Sequence, residues 1–147
     1  MVLVYLRGFS ESDLGSVYEL ACKTLSERYD PNMFTSISSS WPEGSLVVDS
    51  SHGIKAFLLG SLSSSVQSRV LMLAVSEDIR RRGLGTMLMR RFLEESYKKG
   101  TRVVSLEVRR NNRAALNLYN KLGFRIVEVI SHYYNDGEDA YRMQRWL

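Results

Sequence analysis

The feature that most constrains this 147-residue sequence is the stretch of residues 70–85, which reads VLMLAVSEDIRRRGLG. A short apolar run rich in Val, Leu and Met is typical of a buried strand, and the residues after the glycines have the spacing of an amphipathic helix. The stretch therefore predicts a strand, a basic glycine turn and the start of a helix in immediate succession.

The predicted turn has the features of an anion-binding site. A helix begins with backbone N–H groups that have no partner inside the helix, and with the positive end of its dipole. Gly83 and Gly85 lack Cβ atoms, so a pyrophosphate could approach the backbone, and Arg80, Arg81 and Arg82 could add charge-assisted contacts. A tight, solvated turn would explain the same residues, and from spacing alone both interpretations stay open.

Length and composition restrict the class of protein. A chain of 147 residues with 44% hydrophobic and 24% charged residues predicts one soluble domain over residues 1–147. The only cysteine, Cys22, excludes an internal disulfide and has no metal-ligand spacing with the two histidines, so we expect it to be a small buried side chain. We therefore predict a metal-free cytoplasmic protein, and no apolar run is long enough to predict contact with a membrane.

The basic balance of the chain requires a polyanionic partner to be considered. The net charge is +4, and arginines gather around residues 80–82, 90–91 and 109–113. This arrangement suits a phosphate-rich cofactor with a 3′-phosphate as well as it suits a nucleic acid. The sequence has no recognised nucleic-acid module and no aromatic RNP-like strand, so we do not expect a nucleic-acid partner.

Apolar spacing along the chain predicts seven strands and several helices. Helices are expected from Ser10 to about Leu25, over 32–37, from the glycine turn to Gly100 and from Asn112 to Leu122, while the serines of 36–40 are predicted to form a loop. In the third helix we expect Met87 to be buried with its apolar neighbours. The strands at 69–75 and 101–109 should run parallel because a helix separates them, and the other pairs should be antiparallel. The strands are predicted at 2–6, 45–49, 54–62, 69–75, 101–109, 126–129 and 140–146.

An acidic residue lies in the middle of one predicted core strand. Val104, Leu106 and Val108 share one face of the strand at 101–109, so Glu107 points to the other face. A buried carboxylate is costly unless it has a partner or a chemical role. A salt bridge to one of the arginines and a role in catalysis are the two interpretations left open.

Two motifs, in this order, resemble those of the GNAT acetyltransferases. Arg80-x-x-Gly83-x-Gly85 after an apolar strand is similar to the family's acetyl-CoA signature, Arg/Gln-x-x-Gly-x-Gly/Ala. The second motif follows at the family's usual distance, and with YYNDGEDAY near the end it most resembles the RimI-type and arrest-defective-type enzymes, which acetylate protein N termini. The second motif is Leu106-Glu107-Val108-Arg109, then Asn112, Leu118-Tyr119 and Leu122-Gly123-Phe124.

This resemblance, which covers nearly the whole chain, implies an α+β GNAT fold and acetyl-CoA as co-substrate. The expected fold is a mixed, mostly antiparallel sheet, splayed between its fourth and fifth strands, with helices on both faces. The donor would enter the split, with its pantetheine paired to the backbone of Leu73, Ala74 and Val75 as an added strand. Its pyrophosphate would lie beside Arg80 on backbone N–H groups of Arg81, Arg82, Gly83, Leu84, Gly85 and Thr86.

Other site residues follow from the same resemblance. Asn112 would contact the pantetheine arm, although it could be only a helix cap, and the Tyr119 hydroxyl would point at the sulfur, although Tyr119 could be only a core residue. The segment 25–31 resembles the family's substrate loop, often LPENY, with Glu27 and Tyr29 on its acidic and aromatic positions. Here Ser26 replaces the proline, and Glu27 could instead be a solvated charge. Near the end of the chain, Tyr133 and Tyr134 would line the substrate groove.

The implied reaction is direct, sequential transfer of an acetyl group to an amine, without an acyl-enzyme. Glu107, directly or through a water, is the first candidate base and Glu27 the second, while backbone N–H groups near Leu73 would stabilise the oxyanion and Tyr119 would act as general acid. An N-terminal amine has a reference pKa of about 7.7–8.0 against about 10.4 for lysine, which favours protein or peptide N termini, including nascent chains. The alternatives are a small amine or a lysine side chain as acceptor, or a non-catalytic module that binds acyl-CoA or nucleic acid.

Overall fold

A seven-stranded sheet forms the middle of the molecule in the computed structural model, which describes residues 3–25, 27 and 29–147. Its order is β1-β2-β3-β4-β5-β7-β6, and every neighbouring pair is antiparallel except β4 and β5, which are parallel. The strands are β1 (Val4–Gly8), β2 (Ser45–Ser50), β3 (Ala56–Leu62), β4 (Gln67–Val75), β5 (Val103–Arg109), β6 (Arg125–Ile130) and β7 (Ala140–Trp146).

Helices cover both faces of this sheet. On one face, α1 (Leu14–Thr24) and α2 (Pro31–Ser40) bury Phe34 and their other apolar side chains against the sheet. On the opposite face, α3 (Leu84–Lys99) and α4 (Arg113–Lys121) do the same with Phe92 and Tyr119. Two buried clusters therefore hold the sheet between helix layers, and the predicted α+β fold with helices on both faces is confirmed.

The sheet splits where β4 and β5 separate. Their pairing begins at Gln67↔Val103 and ends at Val70↔Leu106, although both strands continue beyond it. At the same place the register of β3 and β4 shifts between Leu59 and Gly60, which leaves Leu71 as an extra residue, a β-bulge. The predicted splay between the fourth and fifth strands is confirmed, and it begins at this bulge.

The bulge also changes which face the side chains of β4 reach. Val70 belongs to the cluster under α3 and α4, whereas Met72 and Ala74 belong to the cluster under α1 and α2. In an uninterrupted strand these even-numbered residues would all lie on one face. The extra residue thus turns the end of β4 that borders the split.

The serines of 36–40 are helical, so the loop predicted there is wrong. Asp30 caps α2 by accepting a hydrogen bond from the backbone N–H of Asn32 at 2.9 Å, and Pro31 occupies the first turn. Phe34 is fully buried against the sheet, which holds the helix in place. This tertiary packing outweighs the weak helix preference of serine.

Two predicted buried side chains are instead exposed. Met87 is 37% exposed, and Met89 takes a buried position in α3. Cys22 is exposed on α1, next to the fully buried Ala21. Successive helical residues are rotated by about 100°, so a position beside an apolar stripe can face either the core or solvent.

Candidate active site

The turn before α3 is exposed and basic. Arg80, Arg81, Arg82 and Gly83 are all exposed. The Arg80 Nε donates to the Val75 carbonyl oxygen at 3.3 Å, and no carboxylate in the described part of the chain forms an ion pair with these arginines. The first helical N–H groups after the turn have no acceptor within the helix. Together these groups form an electropositive surface at the start of α3.

Glycine is needed at the two positions of this turn for different structural reasons. Gly83 has a φ of 79°, a conformation that side chains other than glycine rarely adopt, and a Cβ placed on it would meet nothing within 4 Å. A Cβ on Gly85 would lie 3.3 Å from Leu118 Cδ2. Gly83 therefore permits the turn, while Gly85 permits close packing of α3 on α4, a reason that the motif alone did not reveal.

A cavity of about 280 Å³ lies where β4 and β5 separate. Its walls come from the loop between α1 and α2, from the two splayed strands and from the loop between β6 and β7. The structure thus brings together five residues predicted from sequence, along with three that were not. The lining residues are Glu27, Tyr29, Arg69, Val70, Leu71, Glu107, Tyr133 and Tyr134.

Glu107 lies at the floor of this cavity between two guanidinium groups. Its side chain is 6% exposed. Oε1 accepts from Arg69 Nε at 2.9 Å and also from Arg69 Nη2, and Oε2 accepts from Arg142 Nε at 3.2 Å. The predicted salt bridge of Glu107 is therefore present, and it fixes both carboxylate oxygens at the point where the sheet opens.

Glu27 is paired too, so it is not a solvated charge at a helix end. Its Oε1 accepts from Arg109 Nη2 at 3.1 Å, and its Oε2 accepts from Asn135 Nδ2. Its side chain is 19% exposed. The carboxylate thus connects the loop before α2 with the loop between β6 and β7.

Tyrosines form the remaining walls of the cavity. Tyr29 packs edge-on against Phe34, with ring centroids 6.1 Å apart, and burial followed by the nearby Glu27 charge raises its pKa. Tyr133 and Tyr134 pack at 89° to each other with centroids 5.0 Å apart. Burial, with a smaller contribution from Tyr133, raises the pKa of Tyr134 to about 12. The hydroxyls of Tyr29 and Tyr134 therefore remain protonated near neutral pH.

Tyr119 and Asn112 do not line the cavity. Tyr119 is 7% exposed and packs against Phe124, with ring centroids 5.9 Å apart. Burial raises its pKa above the ordinary value, and its hydroxyl has no hydrogen-bond partner among the described residues. Asn112 Oδ1 accepts from the backbone N–H of Ala115 at 3.1 Å. Asn112 therefore caps α4, which is the alternative to cofactor binding considered from the sequence.

Beyond the bulge, β4 has a free edge toward the split. Leu73, Ala74 and Val75 pair with β3 on one side, and no β5 residue pairs with them on the other. An unpaired strand edge presents backbone N–H and C=O groups to an extended ligand. The described residues include no cluster of three side chains suited to a metal ion, and no described helix has the length and apolarity to cross a membrane.

The two carboxylates of the cavity have charged partners that sequence reasoning missed. Arg69 and Arg142 hold Glu107, and Arg109 holds Glu27. An arginine inside a predicted buried strand, as at Arg69, was the available signal, because such a charge needs a partner of opposite sign. The bulge at Leu71 left no such signal.

Comparison with known proteins identifies the family. Residues 14–124 match the model of the Acetyltransferase (GNAT) family. The chain belongs to the GNAT acetyltransferases. Enzymes of this family use acetyl-CoA as co-substrate, and the basic start of α3 and the free edge of β4 fit a ligand with phosphates and an extended amide arm.

Individual relatives cover most of this GNAT chain. It is 36% identical over 144 residues to the N-alpha-acetyltransferase daf-31 of Caenorhabditis elegans, covering 92% of this chain and 78% of that protein. It is 35% identical over 153 residues to NAA10 of Arabidopsis thaliana, the catalytic subunit of the N-terminal acetyltransferase A complex, covering 99% of this chain and 79% of that protein. The crystal structure of Ard1 from Thermoplasma volcanium superimposes with a TM-score of 0.94 at 35% identity, covering 98% of this chain and 97% of that one.

Proposed function

We propose that this GNAT protein transfers the acetyl group of acetyl-CoA to the N-terminal α-amine of proteins or peptides, by direct sequential transfer. The observation that carries the proposal is the cavity at the split of the sheet, walled by Glu27, Tyr29, Tyr133 and Tyr134. It opens where the edge of β4 becomes free. The relatives named as N-terminal acetyltransferases support the same acceptor class.

The donor would be held on the α3 side of the split. We propose that backbone N–H groups of residues 81–86, from Arg81 through Thr86, bind the pyrophosphate, with Arg80, Arg81 and Arg82 as counter-charges. The free edge of residues 73–75 would pair with the pantetheine arm. Asn112 remains proposed for this arm, and its cap on α4 leaves its amide N–H₂ available as a donor.

When bound, acetyl-CoA supplies an activated thioester carbonyl. We propose that Glu107 accepts the proton released by the attacking amine, directly or through a water, because it is the carboxylate held at the floor of the cavity. Glu27 is the second candidate, because its carboxylate connects two loops, whereas Glu107 is held on the strand β5 at the split. Backbone N–H groups between the bulge and Leu73 would stabilise the oxyanion, at roughly 3–4 kcal/mol per donor.

Tyr119 is the proposed donor to the departing sulfur. Its raised pKa keeps the proton on the hydroxyl, so Tyr119 can hydrogen-bond to a thiolate. A thiol has a reference pKa of about 8.5, below that of tyrosine, so full proton transfer to the thiolate is uphill and the hydrogen bond from Tyr119 stabilises the thiolate as the C–S bond breaks. The single cysteine lies exposed on α1 and does not line the cavity, which supports transfer without an acyl-enzyme.

The acceptor preference follows from proton affinity. Deprotonating an N-terminal amine, with a pKa of about 7.7–8.0, costs less than deprotonating a lysine, with a pKa of about 10.4. A single carboxylate base is sufficient to deprotonate an N-terminal amine. We therefore favour α-amines over lysine side chains, and a small amine stays the alternative acceptor.

Three broader features complete the proposal. We propose that residues 1–147 act as one acetyltransferase domain, because one continuous sheet and the loops that connect its elements form the walls of the cavity. We also propose that the enzyme is cytoplasmic and acts on nascent chains, where free N termini and acetyl-CoA meet. The RimI-like character suggested by the second motif is retained as part of this proposal.

The test is a thiol-release assay with peptides that begin with Ser, Ala, Met or Thr. Matched controls are the same peptides with a blocked N terminus and one internal lysine, and a small polyamine. We expect release only with free N termini, and mass spectrometry should locate the acetyl group on the α-amine. Release with the lysine or polyamine controls alone would contradict the proposed acceptor, and coenzyme A binding without release would indicate a non-catalytic module.

A further inference from the structure

Arg109 is the last residue of β5 and joins several parts of the cavity wall. It lies two residues beyond Glu107 and therefore on the same face of the strand. Its side chain is 21% exposed, so most of it is enclosed by its neighbours. It is not among the residues that line the cavity itself.

The contacts of Arg109 reach both loops that wall the cavity. Its Nη2 donates to Glu27 Oε1 at 3.1 Å, in the loop between α1 and α2. Its Nη1 lies 3.1 Å from Asp136 Oδ1 and 3.0 Å from Asp136 Oδ2, in the loop between β6 and β7. The guanidinium carbon lies 4.1 Å from the centroid of the Tyr134 ring. One planar cation thus holds two carboxylates and one ring.

A second contact connects the same loops directly. Asn135 Nδ2 donates to the Glu27 oxygen that Arg109 does not use. Glu27, Arg109, Tyr134, Asn135 and Asp136 therefore form one connected group, here called the loop latch. It connects both loops with the end of β5.

The loop latch changes how Glu27 can act. Both oxygens of its carboxylate accept hydrogen bonds from other members of the latch. Glu107 is also hydrogen-bonded through both oxygens, but its partners Arg69 and Arg142 lie within strands, whereas those of Glu27 lie at the end of β5 and on the facing loop. The geometry therefore favours Glu27 as the point where the first loop is held in place.

We propose that Arg109 is a positioning residue that joins the two peptide-binding loops through the loop latch, with Glu27 as its attachment point rather than a proton acceptor. This inference rests on the proposed function. Arg109 and Glu27 act on how the peptide is bound, and the donor site at the start of α3 does not depend on them.

The test compares Arg109→Gln with Arg110→Gln. Arg110 is the matched control, because it is the neighbouring arginine and pairs with Asp139 at 3.4 Å, but contacts neither Glu27 nor Tyr134. We expect Arg109→Gln to raise the KM for peptide by about tenfold, the scale of losing charge-assisted hydrogen bonds. The KM for acetyl-CoA should stay at the wild-type value in both variants, and Arg110→Gln should leave both constants unchanged.

Conservative variants separate the latch from a general effect on folding. Arg109→Lys should not restore peptide binding, because one ammonium cannot hold both carboxylates and stack on Tyr134. Asp136→Asn keeps the acceptor for the Glu138 N–H and removes only one charge of the latch. We expect it to raise the peptide KM about threefold, which is measurable even if Arg109→Gln does not fold.

The role of Glu27 is tested by coupling and by pH. In the double variant Glu27→Gln, Arg109→Gln, the second substitution should add less than about twofold to the peptide KM, because both disrupt one unit. Glu27→Gln alone should leave the shape of the pH profile of kcat unchanged. A profile that loses its ascending limb would overturn the assignment and identify Glu27 as the base.

Each failure has its own signature. If wild-type enzyme does not acetylate peptides, the proposed function is wrong. If wild-type enzyme does, but Arg109→Gln and Asp136→Asn bind peptide normally, or the KM for acetyl-CoA rises equally, only the loop latch is wrong.

Discussion

The Tyr119 hydroxyl has no hydrogen-bond partner in the described structure although its ring is buried. Tyr119→Phe therefore removes one oxygen without breaking an internal contact. We expect kcat to fall about a hundredfold, the lower range for a proton donor, with an unchanged melting temperature. Since burial raises the Tyr119 pKa, its loss should also add no new pH dependence below pH 9. Steady-state kinetics measure kcat and its pH dependence, and thermal unfolding measures the melting temperature. Unchanged turnover would contradict the assigned role.

Glu107 requires a control because its carboxylate has two tasks, to hold arginines and to accept a proton. Glu107→Gln should lower kcat by about a hundredfold or more if Glu107 is the base. Arg142→Gln removes one arm of the same ion pair and keeps the carboxylate, so its kcat should fall much less. Kinetics on both variants decide the point. Equal losses would mean that only the ion pair matters.

At the scale of elements, hydrophobic period and turn chemistry were sufficient to predict all seven strands and the parallel pair. The hydrophobic period could not predict that Met89 rather than Met87 is buried, or that Cys22 is exposed. The burial of a residue beside an apolar stripe depends on what packs against it. It also could not predict the helical serines of α2, whose helix depends on burial of Phe34. The bulge at Leu71 depends on the register of two strands, which no local pattern records.

Gly60 occupies the register shift that accompanies this bulge. A Cβ on Gly60 would overlap Phe92 Cε1 and lie 3.1 Å from the Gly44 carbonyl oxygen, and Phe92 is fully buried. We expect Gly60→Ala to lower the free energy of unfolding by about 2 kcal/mol. Gly8→Ala on β1 is the control, since its Cβ would meet nothing within 4 Å. Urea denaturation compares the two, and equal stabilities would contradict the overpacking.

At the scale of the whole molecule, the candidate site draws charges from distant parts of the chain. The donor half was predictable because its strand, turn and helix are consecutive. The acceptor half was predictable only as single residues, since the partners of Glu107 lie on β4 and on β7. Which arginine meets which carboxylate depends on the strand order, in which β7 lies between β5 and β6.

Binding of coenzyme A should stabilise the whole fold, because the ligand would join β4 to α3. At a concentration one hundred times the Kd, linkage predicts about 2.7 kcal/mol, or a melting temperature about 5–10 °C higher for a chain of this size. Dephospho-coenzyme A, which lacks the 3′-phosphate, should raise the melting temperature less. Replacing Arg81 and Arg82 with Gln should bring the shifts caused by the two ligands closer together. Thermal scans test this, and no shift with coenzyme A would refute the donor site.

The position of β7 between β5 and β6 has a consequence for biosynthesis. Arg142, which completes the floor beneath Glu107, lies on the strand that is translated after β1 to β6, yet that strand is inserted between two earlier ones. While the ribosome is still translating the segment before residue 140, β5 has no neighbour on that side and Glu107 has only one of its arginines. The ion pair of Glu107 is therefore complete only after β7 has left the ribosome and taken its place between β5 and β6.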